Sequence, residues 1–455
     1  MSVTIDERSS GDPPRLLDGT EPIGQAQGSG LREPPYLIRR RDGQVVQLSR
    51  LLYTIAAAMD GRSLQAIAHD AGAALEVRVT PEQIAYVAAH KLAPLGLVPR
   101  PDGSEPELQP VDALLGLRHR AGVLSGRSVD AFARVLKPLF LPPIVLGALA
   151  AIAAVDVWLA MAHGIGAGLR QVIQTPSLAL ALFAVIPVSL FFHELGHAAA
   201  CRYGGARPGR IGIGIYLIWP VFFTDVTDSW RLGKRGRLRT DLGGVYFNVL
   251  IALVAAGAYL ATAYEPLLLV VVSQQMLILD QFIPWVRLDG YHIVSDLIGV
   301  SDLFARIKPV LRSLLPGRPP DPRVAALKPW ARAAVTAWVL TTVVVLSAGV
   351  AVVIVHAPTY LRHAWQSLLV QISDLGHGAR AGDVVEVLLA GIGTVMLVLP
   401  VVGFTLTYLL LCRRMGSAVA VRRARAHPTL AWVAGEKAPH PIATNVPAAP
   451  AARRA

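Results

Sequence analysis

Cysteine is nearly absent from this 455-residue chain: Cys201 and Cys412 are the only two. That excludes a disulfide-stapled secreted scaffold. Neither has a cysteine near it in sequence, so a cysteine-rich zinc site is excluded as well. Charge is scarce too. Asp, Glu, Lys and Arg make up 16% of the residues, against about 25% in a typical soluble chain. Hydrophobic residues are 53%, and the mean hydropathy is +0.48. These values favour a polytopic membrane protein with a polar region attached over a string of soluble domains. The opening residues, MSVTIDERSSGDPPR, hold no apolar run. No cleavable signal peptide is expected, and the first membrane span would have to target the chain. No internal repeat is visible, which argues against a secondary transporter built from two related halves.

Residues 1–34 are rich in Gly, Pro, Ser and charge, and are expected to be disordered. Residues 35–100 read as a small folded unit. Tyr36-Leu37-Ile38 and Val45-Val46-Gln47-Leu48 flank Arg41-Asp42-Gly43-Gln44, and an Asp-Gly pair between apolar runs predicts a hairpin. Helical patterns follow over 49–59 and from Ser63. A third opens at Thr80-Pro81-Glu82, a capping residue followed by proline at the first helical position. A hairpin with three short helices is compatible with a winged-helix-like α+β domain. Residues 101–136 predict a linker with one amphipathic helix. The core, 137–412, is then an all-α bundle. Six apolar stretches lie at about 141–162, 177–200, 243–262, 266–286, 333–355 and 387–411, each near the ~20 residues that span a bilayer. The fourth contains Ser273, Gln274, Gln275, Asp280 and Gln281, which are costly in lipid unless they face protein or water. Residues 413–455 form a tail.

The net charge of +12 has a topological explanation. Lys and Arg number 16 in residues 1–137 and 8 in each of 201–240, 287–332 and 413–455; only Arg170, Arg362 and Arg380 lie elsewhere. With six spans the four rich segments share one side. The positive-inside rule makes that side, and both termini, cytoplasmic. The basic excess then reports orientation and contact with lipid headgroups. No clustered basic motif points to nucleic acid, and none is expected as a partner. Trp219, Trp285, Trp330 and Trp338 lie near predicted span ends and read as interfacial anchors.

The second apolar stretch ends Phe192-His193-Glu194-Leu195-Gly196-His197. Residues i and i+4 share one face of a helix, so His193 and His197 can reach one Zn²⁺, with Glu194 beside them to take a proton from water on the metal. Three ionisable groups against an apolar helix need compensation, and metal ligation supplies it. Ala200 and Tyr203 stand where a metzincin would have Gly and His, which excludes that class. A third ligand is therefore expected from another span at the same depth. The fourth stretch ends Pro284-Trp285-Val286-Arg287-Leu288-Asp289-Gly290, and runs in the same direction as the second. Broken helix at membrane depth is tolerated where it lines protein or a water cavity, so Asp289 is the candidate, with His292 its rival. Asp225 and Asp228 in the loop between the second and third spans read as solvated loop aspartates or as a border of the substrate path. Asp156, in the first span, has no evident partner.

Together these motifs resemble the site-2 protease family of intramembrane zinc metallopeptidases. That family pairs HExxH with a later N-x-x-P-x-x-x-L-D-G and often carries G-x-x-x-N between them. Gly244-Val245-Tyr246-Phe247-Asn248 fits the middle motif, and Leu288-Asp289-Gly290-Tyr291-His292 is similar to the bacterial branch of peptide zinc metalloproteases. The resemblance covers about 130–415. It implies His193, His197 and Asp289 as zinc ligands, Glu194 as catalytic base, and Asn248 and Gln281 as candidates for substrate or oxyanion contact. Gln281 departs from the family's usual Asn, keeping the amide but adding a methylene. Asn248 has a packing alternative, through a Gly244/Asn248 helix face. The implied activity is hydrolysis of a membrane-associated or ribosomally made peptide at the cytoplasmic side of a bacterial plasma membrane. A non-proteolytic component for peptide binding, export or immunity is the alternative, and an intact Glu194 argues against it. The 35–100 unit also resembles winged-helix domains that bind peptides for modifying enzymes; a plain supporting domain is the other reading.

Overall fold

The structure is a computed structural model that describes residues 14–100, 104, 118–216, 219–317, 319–399 and 401–402. Its first unit is built as the local sequence dictates. Strands β2 (Tyr36–Arg39) and β3 (Val45–Leu48) pair antiparallel, with Arg39 opposite Val45 across the Asp42-Gly43 turn. Three helices follow: α1 (Arg50–Ala57), α2 (Leu64–Leu75) and α3 (Pro81–Val87). Ser49 and Ser63 cap the first two, each accepting a backbone N–H. Thr80 and Gln83 form a reciprocal capping box around Pro81, with hydrogen bonds of 3.0 and 3.3 Å. Ile38, Ile55, Ile67, Ile84, Leu92 and Leu97 fill the core between sheet and helices. Ile67→Ala removes a fully buried side chain and is expected to destabilise this unit by about 2–5 kcal/mol. Thermal unfolding, and loss of amide-exchange protection over 36–98, would measure it.

Residues 14–34 depart from the expected disorder. Glu21–Gln25 form β1, which pairs antiparallel with β2 to give a sheet of order β1-β2-β3. A strap follows, and its backbone groups find partners far away in sequence. Gly30 N donates to the Gly299 carbonyl at 2.8 Å, Lys328 N to Gly30 O at 2.9 Å, and Arg32 N to Ala326 O at 2.9 Å. Polar, glycine-rich composition signals disorder only when no other element supplies such partners. Residues 1–13 lie outside the described residues.

Strand β4 (Arg118–Leu124) and helix α4 (Gly126–Leu136) come next. Helix α4 is the amphipathic helix expected of the linker. β4 was not expected: it joins β5 (Ile211–Tyr216) and β6 (Trp219–Thr224) in an antiparallel sheet of order β4-β5-β6. The bundle itself comprises α5 (Pro142–Trp158), α6 (Gly166–Gln174), α7 (Pro176–Tyr203), α8 (Lys234–Asp241), α9 (Gly243–Thr262), α10 (Pro266–Gln281), α11 (Asp289–Ile298), α12 (Ile307–Ser313), α13 (Pro322–Ala325) and α14 (Pro329–Ala381). The protein is thus mostly helical, with two small sheets.

Four helical segments are long and apolar enough to cross a bilayer: Pro142–Met161, Ser177–Tyr203, Gly243–Thr262 and Pro329–Ala381. The fourth and sixth expected spans contain shorter apolar helices, Pro266–Gln281 and Val384–Leu399. The fifth, expected over 333–355, is instead part of the 53-residue α14, about 80 Å long against a hydrocarbon core of about 30 Å. Pro358 does not end it; the stop comes at Gly382, whose positive φ makes the left-handed cap. Residues 384–394 pack beside the far half of α14, since Gly378 faces Glu386 and Val387, and Gly393 faces Gln371. Residues 403–411 of the sixth expected span, and the 413–455 tail, lie outside the described residues.

Trp338 is not an interfacial anchor. It is buried with Tyr291 and Phe304, and its indole N–H donates to the Pro284 carbonyl at 3.0 Å. That bond fixes the chain break after α10 against α14. Trp330 remains largely exposed.

A candidate metal centre between helices α7 and α11

The site begins with close approach of two helices. A methyl group at Gly196 of α7 would stand 2.3 Å from the Gly243 carbonyl, and one at Gly244 of α9 would stand 2.3 Å from His193 Nε2. Only glycine lets α9 lie this close to the imidazole, and any larger residue at 244 would fill the space beside Nε2. His193 and His197 are both buried on α7. His197 Nδ1 lies 2.8 Å from the Thr240 carbonyl of α8. A carbonyl only accepts, so Nδ1 carries a proton and Nε2 is the nitrogen left to ligate a metal once it loses its own.

Asp289, the first residue of α11, completes the group. Its Oδ2 lies 3.0 Å from His193 Nε2 and 3.2 Å from His197 Nε2, and the two Nε2 atoms are 3.1 Å apart. Ligands at about 2.0–2.1 Å in a tetrahedron are spaced about 3.3 Å from one another. The three observed spacings are close to that edge. The donor set, two neutral imidazoles and a carboxylate, suits a divalent cation, and the three residues form a group that could hold one. Burial pushes the Asp289 carboxyl up, but in the metal-free protein the positive charge of His197 and hydrogen bonds from His193 and His197 outweigh this and hold it well below the usual carboxylate range. It is therefore ionised, as a ligand must be. His292 is exposed and takes no part in the group.

Glu194 is not one of the three converging residues. Its Oε2 accepts a hydrogen bond from Thr224 Oγ1 at 2.6 Å, and the same hydroxyl lies 3.0 Å from the Glu194 carbonyl. Thr224 ends β6, so the sheet β4-β5-β6 holds the glutamate in place. Asn248 lies one helical turn beyond Gly244, is 1% exposed, and its amide has no hydrogen-bond partner among the described residues. Gln281 is the half-buried last residue of α10 and is not in the His193–His197–Asp289 group.

Several expectations about other polar residues change. Asp228 is not solvated: it is buried and accepts from Arg207 N at 2.9 Å, Arg231 Nε at 2.7 Å and Arg39 Nη1 at 3.1 Å. Asp225 turns back on its own loop, accepting from Thr227 N and Oγ1. Asp156 does have a partner, Gln275 Nε2 at 2.9 Å, and Gln274 Nε2 donates to Ser189 Oγ at 3.0 Å. Gln274 and Gln275 of α10 thus face protein, whereas Asp280 is exposed. Thr224 and Thr240 were missed. The alternation Ile211, Ile213, Ile215 is a strand signal that could have placed the sheet beside Glu194, whereas nothing local marks Thr240.

No family model matches the chain, and no curated protein and no solved structure matches it.

Proposed function

We propose that this membrane protein is a zinc-dependent intramembrane peptidase of the site-2 protease type, hydrolysing a peptide bond near the cytoplasmic face. The observation that carries the reading is the convergence of His193, His197 and Asp289, from two helices 86 or more residues apart in sequence, at near-tetrahedral spacing, with Glu194 next to the first histidine. A bound Zn²⁺ would supply Lewis-acid chemistry to the scissile carbonyl and ease ionisation of the attacking water. Glu194 takes the water's proton as oxygen adds to the carbonyl carbon, and returns it to the nitrogen as the C–N bond breaks. Thr224 fixes one oxygen of that carboxylate and leaves the other for the water. The Asn248 amide would donate to the oxyanion, which would give a partner to a buried amide that otherwise lacks one.

The sheet would give such a substrate a place to pair. Among the described residues no strand pairs with the outer edge of β6, and Thr224 at its end touches Glu194. A peptide paired there would run past the base in extended form. The N-terminal unit would serve as a docking domain for such peptides.

Chelation tests the reading. Removing the metal from purified protein should abolish hydrolysis, and one equivalent of Zn²⁺ should restore it. Full activity in the apo protein would end this assignment.

A further inference from the structure

Arg237 on α8 is 4% exposed, and its guanidinium meets three separate parts of the chain. Nε lies 3.1 Å from Asp296 Oδ2 on α11, Nη2 donates to the Gln27 carbonyl of the strap at 3.2 Å, and Nη1 donates to the Leu232 carbonyl at 3.2 Å. Trp230 covers it, with the guanidinium carbon 5.3 Å from the ring centroid. None of these groups touches the candidate metal centre. Yet α8 carries Thr240, whose carbonyl orients His197, and α11 begins with Asp289. Asp296 follows Asp289 by seven residues, so the two carboxylates share a face of α11 to within about 20°. The pairing with Arg237 therefore sets both the rotation of α11 and its distance from α8. Lys234, three residues before Arg237, adds a second link through the Leu297 carbonyl at 2.6 Å.

We propose that Arg237 is a positioning residue for the metal centre, locking the helix that presents Asp289 to the helix that orients His197, with the N-terminal strap as the third member of the lock. The proposal rests on the metal reading above. The fork geometry is essential to it: a lysine ammonium in this place keeps the charge but cannot hold three acceptors in fixed directions. Loss of the guanidinium leaves the half-buried Asp296 without its cation, beside the half-buried Asp241, and removes the contact that holds α11 against α8.

The test is Zn²⁺ titration of the full chain in detergent against a competing chelator. Arg237→Gln should weaken binding at least tenfold, and Arg237→Lys should recover little of it. Asp296→Asn, which keeps the shape, should weaken binding in the same direction, and the double variant should be no worse than Arg237→Gln alone. Ile67→Ala serves as the control for plain destabilisation: it should lower the melting temperature and leave Zn²⁺ affinity unchanged. If Arg237→Gln fails to fold, the Asp296→Asn titration decides. Zn²⁺ affinities within twofold of wild type for Arg237→Gln, or for Asp296→Asn in its place, overturn the proposal and leave the metal reading intact. A wild-type chain that binds no Zn²⁺ overturns both.

Discussion

Glu194→Gln should retain a full equivalent of zinc and lose nearly all hydrolysis. The two parts of that result have different causes. Glu194 is absent from the converging group, which is made by His193, His197 and Asp289 alone, so the substitution removes no ligand. Glutamine has the same shape, and its carbonyl oxygen still accepts from Thr224 Oγ1 as the carboxylate does. What it cannot do is take a proton. Positioned acid–base catalysis typically contributes about 10²–10⁴-fold, and here one carboxylate both accepts and returns the proton. The expected loss is therefore toward the upper end of that range. Peptide should still bind, so the variant should trap substrate that the wild type releases cut. Equal turnover by the two proteins would remove Glu194 as the base; bound peptide with no turnover by either would leave the peptide-binding alternative, which has no use for a base at this position.

Much of the candidate site was legible because its parts are local. His193, Glu194 and His197 stand at helical spacing, and the helix exists as expected. Gly244 fits a motif whose physical meaning emerges only in three dimensions, where it lies against His193. Asp289 could be inferred because span direction and depth are themselves readable from hydropathy and charge. The N-terminal helices followed from their capping residues, and the hairpin from Asp42-Gly43.

The misses share a cause as well: each depends on a partner remote in sequence. The strap over residues 26–32 is ordered by the ends of α11 and the start of α14, some 270–300 residues away. Asp228 is covered partly by Arg39, which reaches it from β2 across the chain. The sheet that holds Glu194 assembles from 118–124 and 211–224, on either side of α5, α6 and α7. The length of α14 was obscured differently. Hydropathy drops after 355, but a helix continues until something stops it, and no glycine cap of positive φ appears before Gly382.

Asp289→Ala should lower zinc affinity by at least about a hundredfold, while His292→Ala should leave it nearly unchanged. Loss of an outer partner of a ligand typically costs 10–100-fold in metal affinity, so loss of the ligand itself should exceed that. A catalytic site usually needs three protein donors and an open position, and the chain offers few candidates for the third. His292 is three residues on and is the better donor by chemistry. The fold rejects it by geometry. α11 starts at Asp289, so this side chain sits at the helix entrance, 3.0 and 3.2 Å from the two Nε2 atoms. His292 is one turn further along, exposed, and its ring contacts Tyr291. The carboxylate also brings a negative charge to a buried group that would hold a dication, which neutral imidazoles alone do not balance. Asp289→Asn separates these contributions. Its amide oxygen can reach the same place without the charge, so zinc affinity should fall between those of wild type and Asp289→Ala. Zinc retained by Asp289→Ala and lost by His292→Ala would show that the third ligand had been assigned to the wrong side of the Gly290 turn.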